Sequence, residues 1–489
     1  MFRRPSKKQL LVRRVIVSVV MTLAVLVIVT GTILFVLGYR LDSDKGRLEQ
    51  NALIQFDSVP GAAYVSIDGK VIGSRTATKQ SVIAGSHSFI VTRDGYQPWA
   101  KSLDVKAGTL TWLDYIRLVP KELKTEKIAS YASVVGQKAS PDFKWLIVQE
   151  KTEVPTFQLV DLRAQDVKST TITLPADVYS EATTAGTQHA FTLDSWDKGG
   201  RYVLLKHDYS GKSEWIVVDT QDVATSVNVS RLLSITLNDV QFSGTSGNIL
   251  YGLLNDGVIR KLDLSAATIS RGLVTNVKSF ELFETNVITY VGVDPSDTTK
   301  QVAGVYREGD ETAHILRRTT SLDTPLAIDA TRYFSDDYVA ISEGLKVTVL
   351  KGRYPASSAD EATSLAPYAE FTATANVDTL SFSPDGDFLV AQSGLNFISY
   401  EVEYKRQTNA TIETSETTPH TLNWLDDAYL WSVYDGHVSI REFDGTNVHV
   451  ISAAEPSFDV TLSQNGRYLY SITKSGESYQ LQRVKMILE

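Results

Sequence analysis

The sequence predicts an all-β chain on one N-terminal transmembrane helix, with a small β-sandwich followed by a β-propeller of seven or eight blades. A run of 25 residues without a charge, residues 15–39, predicts the helix. Strand-like segments separated by glycine turns predict the sandwich over residues 52–120. A pattern of strands and turns that returns about every 46 residues predicts the propeller over residues 121–489.

The composition excludes several classes of function. The 489 residues include no cysteine, which rules out a disulfide scaffold, a thiolate zinc site and a cysteine nucleophile. Residues 1–14 carry six cations and no acid, whereas the rest of the chain has a formal charge of −15. Because binding to phosphate backbones depends on Lys and Arg, an acidic body of this kind predicts no nucleic-acid partner.

The uncharged run at residues 15–39 is long enough to cross a lipid bilayer. At ~1.5 Å per residue it reaches about 37 Å as a helix, against a hydrocarbon core of ~30 Å. The cations of residues 1–14 predict a cytoplasmic tail, with the rest of the chain outside the cell membrane. A cleaved signal peptide is the alternative. Its apolar region is normally only ~7 to 15 residues, and no A-x-A-like cleavage site follows Gly38.

After a short polar stem, residues 40–51, the chain alternates apolar and polar residues between tight turns. Pairs such as Asp68-Gly69 and Asp94-Gly95 favour tight turns because glycine adopts positive φ without steric cost. The pattern predicts a small antiparallel β-sandwich over residues 52–120. Its predicted strands are residues 53–56, 63–67, 87–92, 100–105 and 109–118.

The residues of this segment resemble the PEGA domain family, whose naming motif here reads Val59-Pro60-Gly61-Ala62, without the glutamate. The rest of the family pattern is present in order as Val65-x-Ile67-Asp68-Gly69, Ile72-Gly73, Ala84-Gly85-x-His87, Asp94-Gly95-Tyr96-x-x-Trp99 and Val105-x-Ala107-Gly108. The resemblance implies a surface or periplasmic module of bacterial and archaeal envelope proteins, with no known catalysis.

Four aromatic residues of this segment have two interpretations. Tyr96, Trp99, Trp112 and Tyr115 could stack on a carbohydrate, since a flat ring covers a sugar face. In so small a sandwich, however, large aromatic side chains more commonly form the core, and this interpretation is favoured.

From residue 121 onward, apolar strands alternate with turns rich in Ser, Pro, Asp and Gly. In Ser383-Pro384-Asp385-Gly386, proline presets φ and glycine takes the strained exit of a type I turn. Turn centres near residues 142, 199, 246, 297, 336, 386, 426 and 465 mark eight candidate units. Such units bury their faces by stacking into a ring, and residues 124–129 are expected to pair with the C-terminal strands and close it. The turns resemble the WD40-like repeat of TolB-type propellers.

The sequence predicts no catalytic, cofactor-binding or metal-binding residues. Its seven histidines are scattered, although a propeller channel could bring His207 and His437 together with Asp208 or Asp435. The segments 42–46 and 194–197 resemble calcium loops without completing the EF-hand spacing. Gly211-Lys212-Ser213 lacks the first glycine of a phosphate loop and is interpreted as a turn between strands. The polar stretches at residues 355–370 and 405–420 are predicted to be loops between blades.

These observations favour a membrane-anchored envelope protein that binds or scaffolds without catalysis, holding its propeller off the membrane on the small domain. The predicted partners are the lipid bilayer, through residues 15–39, and an envelope protein or a cell-wall glycan. The alternative is an enzyme that acts on wall polysaccharide through paired carboxylates in the propeller channel. A sensor would need another chain, because residues 1–14 are too few for a folded output domain.

Overall fold

The computed structural model describes residues 7–36, 39–42, 47–181, 188–354 and 365–488. The chain divides into two compact units, Met1–Glu122 and Leu123–Glu489. The division follows residue 122, near the boundary at 120 that the sequence predicts.

The first element is a helix, α1 (Lys7–Val36). Its segment Leu11–Leu34 is long and apolar enough to cross a membrane, and none of it is buried by protein. Thr22 and Thr32 turn their hydroxyls back onto carbonyl oxygens of the preceding turn, at 2.9 and 2.8 Å. These bonds satisfy the hydroxyls in an apolar environment.

Eight strands follow in the described part of the first unit. They are β1 (Tyr39–Asp42), β2 (Arg47–Val59), β3 (Tyr64–Ile67), β4 (Lys70–Arg75), β5 (Thr78–Ile83), β6 (Gly85–Thr92), β7 (Trp99–Val105) and β8 (Leu110–Arg117). One sheet has the order β1-β2-β5, with β8 also paired to β2, and the other has the order β4-β3-β6-β7. The structure thus confirms the predicted small β-sandwich, but the prediction that it is antiparallel throughout is wrong, because β2 and β8 pair in parallel.

The residues assigned to a stem take part in this sandwich. β1 pairs with the start of β2, for example Tyr39 with Gln50, so that the polar stretch contains a β-hairpin. β2 then continues without interruption into the domain core at Ile54 and Phe56, which are fully buried. Tyr39, taken from the sequence as the end of the helix, is therefore the first residue of a strand.

Besides β1, two further strands of the sandwich, β4 and β5, have no counterpart in the sequence prediction. Both lie at an edge of their sheet. An edge strand has fewer apolar neighbours, and β4 is accordingly exposed along nearly its whole length. Its polar composition hides the period-two signal on which the prediction depends.

Trp99→Ala is expected to unfold the sandwich locally, because Trp99 is only 1% exposed and truncating a buried Trp costs about 3 to 5 kcal/mol. Hydrogen exchange of the full chain would show lost protection over residues 52–121 and none lost in the second unit. Trp112→Ala is the matched control. Trp112 is 36% exposed, so this variant should lose much less protection. Unchanged protection in Trp99→Ala would contradict the core role.

The second unit contains 32 strands among its described residues. They are β9 (Thr125–Tyr131), β10 (Gly136–Ala139), β11 (Trp145–Gln149), β12 (Thr156–Asp161), β13 (Lys168–Thr173), β14 (His189–Trp196), β15 (Tyr202–Tyr209), β16 (Lys212–Asp219), β17 (Val227–Asn228), β18 (Leu237–Phe242), β19 (Ile249–Leu254), β20 (Ile259–Asp263), β21 (Thr268–Ile269), β22 (Val277–Phe283), β23 (Val287–Asp294), β24 (Asp297–Arg307), β25 (His314–Arg318), β26 (Leu326–Tyr333), β27 (Asp336–Glu343), β28 (Lys346–Gly352), β29 (Ala366–Thr372), β30 (Thr379–Phe382), β31 (Phe388–Ser393), β32 (Asn396–Glu401), β33 (Arg406–Thr411), β34 (Asn423–Trp424), β35 (Tyr429–Tyr434), β36 (His437–Glu442), β37 (His449–Ala453), β38 (Thr461–Leu462), β39 (Tyr468–Ser475) and β40 (Ser478–Lys485). A 3₁₀ turn at Val223–Thr225 and a short helix, α2 (Val229–Leu233), lie between β16 and β18.

These strands form eight four-stranded antiparallel sheets, which settles the choice between seven and eight blades for the described residues. Blades 1 to 7 each consist of four successive strands, from β10–β13 to β34–β37. Blade 8 has the order β38-β39-β40-β9, so its outermost strand comes from the start of the unit. The predicted pairing of residues 124–129 with the C-terminal strands is therefore confirmed.

Apolar side chains between the blades close the ring. Hydrophobic clusters join each of the blade pairs 1–2, 2–3, 3–4, 4–5, 5–6, 6–7 and 8–1. Blades 7 and 8 are joined by hydrogen bonds, including Gln482 Nε2 to the carbonyl oxygen of Ala453 at 2.5 Å. The apolar faces that a single blade would expose are thus buried against its neighbours.

Because the strands of a blade are antiparallel, the ring has two distinct ends. At one, which we call the first-turn end, lie the turns between the first and second strands, such as Ser383–Gly386. At the other, the connection end, lie the hairpins between the second and third strands and the links from blade to blade. A hydroxyl or carboxylate caps several first turns: Ser383 Oγ accepts the backbone N–H of Phe388, and Asp197 Oδ1 accepts that of Tyr202.

One predicted turn centre falls in the wrong hairpin. The centre near residue 297 lies between the second and third strands of blade 4, whereas the first turn of that blade lies at residues 284–286. That first turn lacks Pro and Gly, and Glu284 adopts the left-handed conformation with φ 54°. A non-glycine residue at this position leaves no turn signal in the sequence.

The two polar stretches taken as loops between blades are partly strands. β33 occupies Arg406–Thr411, and β29 begins at Ala366, while residues 355–364 lie outside the described part of the chain. Both are fourth strands, at the outer edge of their blades. The outer edge faces solvent, so that a polar sequence is compatible with a strand there.

Gly386→Ala is expected to lower the stability of the propeller by about 2 to 3 kcal/mol. Gly386 has φ +83°, and an added Cβ would lie 2.5 Å from Thr331 Oγ1 and 3.1 Å from the carbonyl oxygen of Arg332. Gly466→Ala, at φ +65° with open space around it, should cost only about 1 kcal/mol. Thermal unfolding of the two variants would separate steric from conformational cost, and equal losses would contradict the steric argument.

Candidate functional site

The first strands of the blades line the centre of the ring, and four of them carry a carboxylate there. Asp194 lies on β14, Asp239 on β18, Glu281 on β22 and Asp329 on β26. These are the first strands of blades 2, 3, 4 and 5. We call these four residues the channel carboxylates.

A cavity of about 340 Å³ opens among the channel carboxylates near the first-turn end. Its walls include Asp194, Asp239 and Glu281, with Trp196 and Gln241 beside them. Trp196 is held by its Nε1, which donates to the carbonyl oxygen of Lys138 in blade 1 at 3.1 Å. Gln241 Nε2 donates to Glu281 Oε2 at 3.1 Å and to the carbonyl oxygen of Phe280 at 2.9 Å. The cavity wall is therefore fixed by contacts between blades.

The channel environment favours the protonated form of three of these acids. Desolvation by the channel wall raises the pKa of Glu281 to about 7, although the side chain is exposed to the channel, and the nearby carboxylates of Asp239, Asp329 and Asp194 add to this effect. Burial likewise raises the pKa of Asp239 to about 6. Asp329 also reaches about 6 through burial, although two backbone N–H groups partly offset the increase in its pKa.

The channel carboxylates differ in their hydrogen-bond partners. Asp329 accepts the backbone N–H of Ala330 and that of Phe382 in blade 6, both at 2.7 Å, so it joins two blades. Asp239 accepts the N–H of the next residue, Val240, at 2.8 Å and so makes no link of this kind to another blade among the described hydrogen bonds. Asp239 and Glu281 therefore present carboxyl groups to the cavity. Of the two, Glu281 is the one able to hold a proton near neutral pH.

The histidines and acids that the sequence analysis considered for the channel are not brought together there. His207 lies on β15, the second strand of blade 2, and is fully buried. His437 lies on β36 in blade 7, where its Nδ1 is 2.8 Å from the carbonyl oxygen of Asp435. Asp208 is hydrogen-bonded by Ser213 in its own blade. Second and third strands do not line the channel, so convergence is excluded for these residues.

The other motifs of the sequence also find structural roles. Tyr96 and Trp99 are 3% and 1% exposed, which confirms that they belong to the sandwich core. Asp197 uses its carboxylate to cap the first turn of blade 2. Of the other calcium-like segment, residues 43–46 lie outside the described residues. Within the described ranges, no group of three or more His, Asp or Glu side chains is arranged to hold a metal ion.

A second and larger cavity, of about 720 Å³, lies at the connection end between blades 2 and 3. Gly211, Lys212 and Ser213 line it: Gly211 lies in the turn between β15 and β16, and Lys212 and Ser213 are the first residues of β16. We call this the inter-blade pocket. Ser180, Lys206, Tyr209 and Arg231 belong to its walls as well.

Sequence reasoning missed both cavities, although the channel carboxylates leave a signal. Asp194, Asp239, Glu281 and Asp329 recur at intervals close to the repeat length of about 46 residues. Acids at the same position of consecutive repeats are therefore expected to lie close together at one end of the channel. The inter-blade pocket leaves no such signal, because its walls come from loops of unequal length.

Comparisons with known proteins match a family model to the small domain of the first unit. Residues 52–121 match the family model of the PEGA domain. No curated protein matches the chain. Among solved structures, the β-propeller domain of Cps50 (Swd1) from Myceliophteria thermophila is similar, with 9% identity and a TM-score of 0.40 over 75% of this chain and 100% of that one. The resemblance of residues 52–121 to the PEGA domain family is thus confirmed.

Proposed function

We propose that this protein is a single-pass membrane protein that binds an envelope component through its propeller, without catalysis. The apolar segment Leu11–Leu34 anchors it, the cationic residues 1–14 stay in the cytoplasm, and the PEGA domain and propeller lie outside. PEGA domains of envelope proteins support this placement. The observation that carries the binding role is a closed ring of blades that keeps solvent-accessible cavities at both ends.

The orientation has a direct test, since the chain has no cysteine. A single cysteine is introduced as Ser475→Cys, at an exposed hairpin, or as Lys8→Cys, at the start of the helix. A membrane-impermeant maleimide added to intact cells should label the first variant and leave the second unlabelled until the cells are lysed. The reverse pattern would overturn the proposed orientation.

The binding role is tested with the full chain in nanodiscs, incubated with isolated cell envelope before and after exhaustive protease treatment. Capture that survives protease supports a wall-glycan partner, and capture that disappears supports a protein partner. No capture by either preparation would overturn the binding role.

A second candidate function is hydrolysis of wall polysaccharide in the channel. It is favoured by Glu281, a carboxyl with a pKa of about 7, in the same cavity as Asp239 and Asp194. A glycosidase needs one carboxyl that holds a proton and one that is ionised at the operating pH. Release of reducing sugar from envelope glycans by the wild type, abolished in Glu281→Gln, would favour this function over simple binding.

A further inference from the structure

The inter-blade pocket differs in charge from the protein around it. Its walls carry three cations, Lys206, Lys212 and Arg231, and a single acid, Glu214. The chain beyond residue 14, in contrast, has a formal charge of −15. A local excess of cations in an acidic protein attracts an anionic group to this position.

The single acid of the pocket is already engaged by neighbouring groups. Glu214 is 3% exposed and accepts the backbone N–H and the hydroxyl of Ser180, each at 2.7 Å, and His207 Nδ1 at 2.8 Å. Burial raises the pKa of Glu214, but hydrogen bonds from His207, Asn228 and Ser180 outweigh it and lower the pKa to about 2. Its charge is thus held inside the wall by these donors.

Aromatic rings fix this wall further. His207 stacks between Phe191 and Tyr209, with ring centroids 4.2 and 4.9 Å apart, and its Nε2 lies 2.9 Å from His189 Nδ1. His207 thus links Glu214 and His189 through its two ring nitrogens. The part of the wall around Glu214 and His207 is therefore preorganised, whereas the cations Lys212 and Arg231 are exposed, and Tyr209 also lines the pocket.

The remaining lining is rich in groups that both donate and accept hydrogen bonds. Hydroxyls and amides come from Ser180, Ser213, Ser234, Thr236, Asn238 and Asn255. Sugar hydroxyls pair with such side chains in both directions. Ile235 and Leu237 are the apolar side chains of the lining, which is too few for a lipid or an apolar peptide. The volume of about 720 Å³ accommodates an oligosaccharide of a few units.

We propose that the inter-blade pocket binds an anionic saccharide, with Lys206, Lys212 and Arg231 recognising its carboxylate or phosphate and the hydroxyl and amide side chains recognising its sugar ring. The inference rests on the proposed binding function and names the ligand class and the place of binding. Arg231 already donates to the carbonyl oxygen of Asp177, and Lys206 Nζ lies 3.7 Å from Asp208 Oδ1, so both cations are held near the pocket.

The test is a calorimetric titration of the full chain in nanodiscs of neutral lipid. The probes are trigalacturonate, galactose 6-phosphate, the neutral sugar maltotriose and inorganic phosphate. We expect trigalacturonate or galactose 6-phosphate to bind, with maltotriose and inorganic phosphate at least ten-fold weaker. The stronger of the two anionic probes tells whether the natural substituent is a carboxylate or a phosphate.

Charge reversal locates the binding. Lys212→Glu with Arg231→Glu changes two exposed cations and should weaken the anionic probe at least ten-fold, and the milder Lys212→Gln should weaken it several-fold. Lys198→Glu, which changes a cation beside the channel cavity at the opposite end, is the matched control and should bind as the wild type does. Hydrogen exchange of each variant verifies that blades 2 and 3 remain folded.

Three results would overturn the proposal: no binding of either anionic sugar, equal binding of maltotriose or inorganic phosphate, or unchanged affinity in both Lys212 variants. If envelope is still captured while the anionic sugars fail to bind, this inference fails and the proposed function stands. If capture fails as well, both are wrong.

Discussion

Ser130→Pro is expected to unfold the whole propeller, with a loss of at least about 3 kcal/mol, because it breaks the strand that closes the ring. Ser130 lies in β9 and pairs with Gln480 of β40, about 350 residues later in the chain. Proline cannot donate a backbone hydrogen bond, and its fixed φ and bulky ring distort the strand. Thermal unfolding of the full chain should show a large decrease in the transition of the second unit.

Two further contacts make this strand important for the ring. Glu126 of β9 accepts from Arg483 at 2.8 Å, and Arg483 is only 5% exposed. Tyr131 packs into the cluster shared by blades 8 and 1. Losing β9 therefore leaves a buried guanidinium without this partner and uncovers apolar surface between two blades.

Thr170→Pro is the matched control, since Thr170 occupies the outermost strand of blade 1, which is contiguous with its own blade. We expect it to loosen only that edge, as hydrogen exchange of residues 156–173 would show. Equal effects of the two proline variants would mean that ring closure adds no cooperativity.

The same pairing provides a gain of stability in a chain without native cysteines. A disulfide from Ser130→Cys with Gln480→Cys closes a very long loop and should stabilise by about 4 to 5 kcal/mol. The pair Gln158→Cys with Thr171→Cys, on paired strands of blade 1, closes a short loop and should add about 3 kcal/mol at most. Both gains should disappear under reducing conditions, and their reversed order would argue against the closure of the ring through β9.

Raising the pH from about 4 to about 7 is expected to destabilise the propeller through the channel carboxylates. Asp239 and Asp329 have pKa values of about 6, against an ordinary value of 3.8. Between these values the folded protein holds protons that the unfolded chain has released, so the free energy of unfolding falls as pH rises. At about 1.4 kcal/mol per pKa unit, each contributes a loss of about 3 kcal/mol above pH 7. Glu281, with a pKa of about 7, extends this pH dependence to higher pH. Its effect on the free energy of unfolding is smaller because its side chain contacts channel water.

Asp239→Asn with Glu281→Gln should flatten this pH dependence and raise the melting temperature at pH 8 but not at pH 4. Both amides keep the oxygen that accepts the local hydrogen bond. Glu477→Gln, at an exposed hairpin, is the control and should follow the wild-type curve. Burial lowers the pKa of His449, so this residue makes the free energy of unfolding rise with pH. The test is therefore the difference in pH dependence between the variants. A double variant with the wild-type slope would contradict the protonation of these acids.

The local patterns of the sequence were sufficient for the architecture of each unit. The apolar run predicted the helix, the ordered glycine and aromatic motifs predicted the PEGA domain, and turns such as Ser383–Gly386 predicted the blades. They fail where the local signal is weak. Glu284 forms a turn without glycine, and the polar edge strands β4 and β29 resemble loops.

An all-β chain behind one apolar helix could be predicted from the residues alone, because hydrophobic period and turn chemistry act between residues close together in the chain. The tertiary structure was needed to choose eight blades over seven among the described residues, to show that acids from blades 2 to 5 share one channel, and to bring Lys212 and Arg231 to one pocket. The physical reason is that burial, pKa and charge at these places arise from residues tens to hundreds of positions apart, which the ring alone brings together.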